Sequence, residues 1–319
     1  MASDISLQLY KEFYKQESVG TDSVKASAHW KNFSQSFQVQ QNPDGSIRKI
    51  KGYGFGGSDD NRLSARIMSF IENSLLQARL LYPGLAKEKD EAKKTVAAMG
   101  LSFSRDAFRQ VCIRYFLKRE MAKTNIRVKN ILIIGDGHGI LAALMSEQYP
   151  EARIFLIDLG ATLFFQAYYL ENTFTNKQHV LLDKNNPSIP EKGFLYCPAE
   201  RLEDFPLIEI DLAINIASMQ EMEITVVNDY FRFLRERKTK LFYCCNRLEK
   251  TLPDGQVTRF ADYQWLKEDL HLTDEKCPWH QFFFARSAAP NLKLFNIIPI
   301  PLLHHYDGVH WHRLTQLSH

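Results

Sequence analysis

A chain of 319 residues, 45% hydrophobic and 24% charged, has the composition of a globular protein, with length for one large domain or two smaller ones. A formal net charge of +3 is too small to imply a nucleic-acid partner, and no apolar run reaches the ~18 residues of a membrane span. Met1-Ala-Ser-Asp-Ile-Ser lacks a basic segment followed by an apolar core, so a cytoplasmic protein without a secretory signal is expected. The cysteines (Cys112, Cys197, Cys244, Cys245, Cys277) show no metal-ligand spacing and read as reduced, buried fillers.

The first elements are helical. Leu7 to Tyr14 is a short amphipathic stretch, and Asn42-Pro-Asp-Gly45 marks a turn. Gly52-Tyr-Gly-Phe-Gly-Gly57 reads either as a loop folded against a ligand or neighbouring domain, or as an irregular linker. Tyr53, Phe55 and the nearby Arg62 are candidate substrate-binding residues; packing of the helical region on a sheet is the competing reading. Leu63, Ile67, Phe70, Ile71, Leu75 and Ala78 predict a helix over 61–82, ended by Pro83-Gly84. A second helix is predicted from the N-cap Ser104 to about Lys123. Residues 1–125 therefore read as a mainly helical N-terminal region, a possible cover for an acceptor site, and 126–319 as a second unit.

From 126 onward strands and helices alternate, with strands expected at 130–134, 153–157, 194–197, 211–216 and 240–245. That alternation implies an α/β fold with a mostly parallel sheet. Lys293 to Pro301 and Val309 to Thr315 are two further strand candidates, expected to pair as a closing antiparallel hairpin at one sheet edge.

The strongest motif is Asn130-Ile-Leu-Ile-Ile-Gly-Asp-Gly-His-Gly139, an apolar strand breaking into alternating glycines. Gly135, Gly137 and Gly139 permit a tight turn and close approach of backbone N–H groups to a ligand. Asp158 ends the next apolar run, about 20 residues further on, where an acid accepts hydrogen bonds from a ribose diol. A dinucleotide fingerprint needs glycine where Ile140 stands, and Asp136 in the loop repels a pyrophosphate. A cationic cofactor, S-adenosyl-L-methionine, suits this loop better. Asp136, His138 and Leu159 complete the cofactor candidates around the loop. Ala199 and Glu200 are placed to meet an adenine edge, Asn215 at the end of the fourth strand is a further cofactor candidate, and Ser218 just beyond it is a substrate-binding candidate.

The Gly-Asp-Gly-His-Gly loop, Ile157-Asp-Leu-Gly160 leading into Ala167-Tyr-Tyr-Leu170, Asn215-x-x-Ser-x-x-Glu-Met222 and Phe242-Tyr-Cys-Cys-Asn-Arg247 together resemble the bacterial family of predicted sugar O-methyltransferases. The likeness covers about residues 125 to 250. It implies a Rossmann-like class I methyltransferase sheet and S-adenosylmethionine-dependent transfer to a sugar hydroxyl of a glycan or glycoconjugate precursor, in polysaccharide biosynthesis. The implied partner is a small-molecule or glycan acceptor.

A sugar hydroxyl has to lose its proton during transfer, so a general base is expected. Glu221, just past the fourth strand, is the first candidate, against a capping or ion-pairing role; His280 is the second. The segment from Trp265 to Phe284 reads as a lid or substrate wall. His304, His305, His310 and His312, with Asp307, invite a metal reading, but without a zinc spacing they read as histidines on a strand, and no metal is expected. The basic run Arg232 to Lys240 reads as a solvated helix end. Two rival readings stay open, an NAD-dependent oxidoreductase or epimerase and a catalytically inactive cofactor-binding scaffold.

Overall fold

Hydrophobic spacing orders the chain into α1 (Ile5–Leu9), β1 (Gln38–Gln41), β2 (Ile47–Lys51), α2 (Leu63–Leu80), α3 (Leu85–Ala98), α4 (Arg105–Met121), β3 (Asn130–Ile134), α5 (Ile140–Gln148), β4 (Arg153–Asp158), α6 (Gly160–Thr173), β5 (Gln178–Leu181), β6 (Gly193–Pro198), β7 (Leu212–Ile216), α7 (Ile224–Glu236), β8 (Leu241–Arg247), β9 (Glu249–Thr251), β10 (Val257–Arg259), β11 (Leu270–Lys276), β12 (Phe282–Phe284), β13 (Asn291–Leu294), β14 (Ile298–His305) and β15 (His310–Gln316). The computed structural model describes residues 5–14, 37–52, 57–183, 188–284, 291–295, 297–306 and 308–319. Tyr53, Phe55 and Asp307 lie outside the described residues.

An eight-stranded sheet in the order β11-β15-β8-β7-β3-β4-β6-β5 forms the middle of the molecule. β5, β6, β4, β3, β7 and β8 run parallel, and β15 lies antiparallel to both β8 and β11. The inner strands are buried along nearly their whole length, as strands covered on both faces must be. Successive side chains point to opposite faces, so Ile131 and Ile133 enter one core with α4, α5 and α6, while Leu132 and Ile134 enter a second core with α7. Cys245 and Cys244 divide between the two cores in the same way. The chain runs outward from β3 through β4 to the edge strand β5, steps back to β6, and then crosses to place β7 on the other side of β3. That reversal opens a crevice at the carboxyl ends of β3 and β7, where ligands of open α/β sheets bind.

The sequence-predicted strands lie within about two residues of those observed, and both predicted helices are present, α4 capped by Ser104 Oγ accepting from the Ala107 N–H at 3.2 Å. The tail is different. β15 pairs with β8 and β11, whereas β14 belongs to a separate three-stranded sheet with β12 and β13. Among the described residues, the first half of β14, which carries Pro299 and Pro301, pairs with β13. β15 has no proline and fits between two strands. The Trp265 to Phe284 segment supplies β11, an integral edge of the main sheet, and brings one residue, His280, to the cavity.

α2 also turns differently from its apolar pattern: Leu63, Ile67 and Phe70 face outward, while Glu72, Asn73, Leu76 and Leu80 are buried. The cause is Arg109 on α4, itself 1% exposed, whose guanidinium donates to Glu72 Oε1 at 2.8 Å and Asp106 Oδ1 at 2.9 Å. Arg109 also donates to the carbonyls of Trp279 and Phe282, tying the helical region to the tail. Removing one member of such a buried pair typically costs ~3–5 kcal/mol. Among the described residues, no helix is long and apolar enough to cross a membrane.

Candidate active site

A cavity of about 250 Å³ occupies the crevice beyond β3, β4 and β7. Its floor is the glycine loop. Gly135 has φ +74°, and a Cβ built there would lie 2.4 Å from Ser218 Oγ, so glycine is required for conformation and for space. Ala217, lining the opposite wall, has φ +56°, an uncommon value for a residue with a side chain that is found at constrained functional turns.

Asp136 turns back onto the start of α5. Its carboxylate accepts from the Leu141 N–H at 3.1 Å and the Ala142 N–H at 2.7 Å. The helix N-terminus, the usual seat of a pyrophosphate, is therefore filled by the protein's own anion. Burial pushes the Asp136 carboxyl up to about 7 against the pull of those two amides. Asp158, at the end of β4, is likewise raised to about 7 by burial; it accepts from the Leu159 N–H at 2.9 Å and from Gln166 Nε2 at 2.6 Å.

Five carboxylates line this cavity, those of Asp106, Asp136, Asp158, Glu221 and Asp229, and no lysine or arginine is among the described residues that line it. Leu159, Ala199, Leu202, Met222 and Val226 give it an apolar side, with Tyr230 beside them. Toward α4 it becomes polar. Gln110 lines it there, and Gln110 Oε1 is buried without a hydrogen-bond partner among the described residues. Glu221 borders the same region, with Oε1 2.8 Å from Lys250 Nζ. His280 is 6% exposed and lies at the cavity edge; burial, then the Arg109 charge and the neighbouring histidines, holds its imidazole well below the usual range. It is neutral at pH 7.

Of the sequence candidates, Gly135, Asp136, Gly137, Asp158, Leu159, Ala199, Ser218, Glu221 and His280 face the cavity. Others do not. His138 is buried behind the loop, its ring edge-on to Tyr169 at 5.5 Å, and Gly139 begins α5 with Leu170 against it. Glu200 accepts from the Gly160 N–H at 3.3 Å, turned toward the start of α6. Asn215 is a brace: its Nδ2 donates to the Ile134 carbonyl at 2.9 Å and its Oδ1 accepts from Asn246 Nδ2 at 2.8 Å, fixing the ends of β3, β7 and β8. Arg62 sits on the surface paired with Asp60. Asp106, Gln110, Asp229 and Tyr230 are wall residues that sequence reasoning missed, since α4 and α7 approach the loop only in three dimensions. Of the basic run, Arg232 is exposed, but Arg235 is paired with Asp269 at 2.8 Å and Arg237 lies over the Phe233 ring, so the helix end is bound into the fold.

No protein-family model matches the chain, and no curated protein matches it. Among solved structures it is similar to an S-adenosylmethionine-dependent methyltransferase from Clostridium acetobutylicum, at 12% identity over 64% of this chain and 90% of that one, with a TM-score of 0.40. It is also similar to the methyltransferase CalO6, at 11% identity over 62% and 60% of the two chains and a TM-score of 0.37. A third likeness is to coclaurine N-methyltransferase bound to N-methylheliamine and SAH, at 12% identity and a TM-score of 0.34; there the chain spans about half the length of its relative, 49%. The sheet order, with one reversed strand set beside the edge strand, makes this a Rossmann-like α/β fold. Likeness at this level says nothing about activity, which has to come from the chemistry of the cavity.

Proposed function

We propose that the chain is an S-adenosyl-L-methionine-dependent O-methyltransferase acting on a sugar hydroxyl of a glycan or glycoconjugate precursor. The observation that carries this reading is the charge of the cavity: carboxylates on its walls, no lysine or arginine among the described lining residues, and a helix N-terminus already occupied by Asp136. An anionic dinucleotide meets repulsion there, while a ligand bearing an ammonium and a sulfonium meets attraction. In this reading the Gly135–Gly137 backbone and Asp136 hold the amino-acid part, Asp158 accepts from the ribose diol, and Leu159, Ala199 and Leu202 flank the base.

The cofactor supplies an electrophilic methyl group on a sulfonium that departs as a neutral thioether. The chain's own residues orient the acceptor and take its proton. Gln110 Oε1 and the Asp106 carboxylate offer acceptors to the hydroxyls of a sugar, and the Glu221 carboxylate receives the proton of the attacking hydroxyl. α4 forms the acceptor-side wall, giving the helical N-terminal region its place in the site. The low basicity of buried His280 makes it the weaker base candidate.

The test is turnover. Purified protein is incubated with methyl-labelled S-adenosylmethionine and a panel of neutral and nucleotide-linked sugars, with Glu221→Gln as the matched control. Label carried into a sugar by the wild type and not by the variant supports the reading. Cofactor binding without transfer to any hydroxylated acceptor leaves only a scaffold.

A further inference from the structure

Cys245 on β8 and the turn Cys277-Pro-Trp-His280 after β11 bring two thiols and an imidazole together inside the protein. Cys245 and Cys277 are fully buried and His280 nearly so. Their Sγ atoms lie 3.9 and 3.5 Å from His280 Nδ1, and the three donor atoms all fall within 4.8 Å of one another. Metal–sulfur bonds of about 2.3 Å and metal–nitrogen bonds of about 2.0 Å at tetrahedral angles put ligand atoms roughly 3.5–3.8 Å apart. The two sulfur–nitrogen separations lie close to such an edge, and the sulfur–sulfur separation, within 4.8 Å, is short enough for both thiols to face one ion.

The turn is fixed by the protein around it. The Cys277 N–H donates to the His310 carbonyl at 3.0 Å, and Gln281 Nε2 donates to the carbonyls of both Cys277 and His310 at 2.7 Å. The Trp279 carbonyl accepts from Arg109 Nε at 2.9 Å. The turn that carries Cys277 and His280 is thus held by hydrogen bonds to its backbone, as a preorganised ligand set requires.

We propose that Cys245, Cys277 and His280 form a binding site for a divalent cation of the zinc class, with three protein ligands and a fourth position completed from the cavity that His280 borders. Two thiolates balance the ion's charge, so the occupied site is neutral and suited to burial. The ion clamps the tail turn to β8 and sets the wall beside the acceptor region. It also takes His280 Nδ1 out of proton transfer, leaving Glu221 as the base. The site stands on its own geometry, whether or not the cavity takes S-adenosylmethionine.

The test is metal content of the full chain purified under reducing conditions without chelator, followed by cobalt titration of the metal-stripped protein. Zinc in a one-to-one ratio with protein is expected, with thiolate-to-cobalt charge-transfer absorption and tetrahedral ligand-field bands after titration. Cys277→Ser and His280→Asn are expected to lower affinity at least about tenfold, and Cys244→Ala, on the opposite face of β8, to leave it unchanged. If Cys277→Ser fails to fold, the cobalt spectrum of the wild type decides, because thiolate ligation absorbs in its own right. A reduced wild type that neither retains zinc nor gives charge-transfer bands overturns the proposal. So does zinc persisting in Cys277→Ser, or a Cys245–Cys277 disulfide in the unreduced protein with no metal bound.

Discussion

Replacing Asp158 with asparagine is expected to stabilise the ligand-free protein while abolishing cofactor uptake. In the fold the Asp158 carboxyl is raised from 3.8 to about 7, first by burial and then by the Glu200 charge. The unfolded chain ionises it above about pH 4, whereas the folded chain holds it neutral to about pH 7. The fold therefore loses stability as pH rises through this window. At pH 8 the displacement corresponds to ~4 kcal/mol, at about 1.4 kcal/mol per tenfold change in the ionisation constant. Reorganisation of the cavity and its water lowers that ceiling to ~1–3 kcal/mol. Asparagine keeps an acceptor for the Leu159 N–H, and rotation of the Gln166 amide offers Oε1, unpartnered among the described residues, to the new amide group. At roughly 2 °C per kcal/mol for a chain of this size, Asp158→Asn should raise Tm at pH 8 by ~2–6 °C. The gain should shrink at pH 5 and vanish near pH 3. Scanning calorimetry at these pH values is the assay. A variant less stable than wild type at pH 8, or a gain independent of pH, refutes the reasoning.

Because Asp136 and Asp158 are both raised to about 7, uptake of a cationic ligand requires protons to leave, and affinity should fall by up to about tenfold per pH unit for each acid below ~6.5; calorimetric titration from pH 8 to 5.5 checks this. Gly135→Ala forces a left-handed backbone onto a side chain and a Cβ against Ser218, so a loss of ~2–4 kcal/mol is expected, with partial recovery in Gly135→Ala/Ser218→Gly; full additivity of the two changes in denaturant unfolding contradicts the contact. Glu221→Gln should lower kcat by ~10²–10⁴-fold with cofactor affinity nearly unchanged, and an equal loss in both would assign Glu221 to binding instead.

The inner strands were legible because strands buried on both faces are apolar throughout, and the glycine loop because its dihedral angles admit little else. α3 was missed because its buried stripe is narrow and built from Leu85, Ala92, Thr95 and Val96 amid lysines and glutamates. The face of α2 was misread because its burial follows the Glu72–Arg109 ion pair rather than hydrophobicity. The partner of β15 was misjudged because pairing between distant strands leaves no local signal, whereas a nearby run looks like a hairpin. Within the site, residues on the loop and the first strand ends could be read in order. Asp106 and Gln110 could not, since they reach the cavity from a helix that precedes the sheet. Cys245 likewise meets the Cys277-Pro-Trp-His280 turn only through folding, so cysteine spacing along the chain gave no sign of the three together.

The carboxylate-lined cavity is proposed to select a positively charged nucleoside cofactor. Isothermal titration of the purified chain at pH 8 with S-adenosylmethionine and, separately, with NAD tests it most directly. Saturable binding of S-adenosylmethionine with a one-to-one ratio, lost in Asp158→Asn, and no heat from NAD is the expected result. Saturable binding of NAD with none of the sulfonium compound would contradict it.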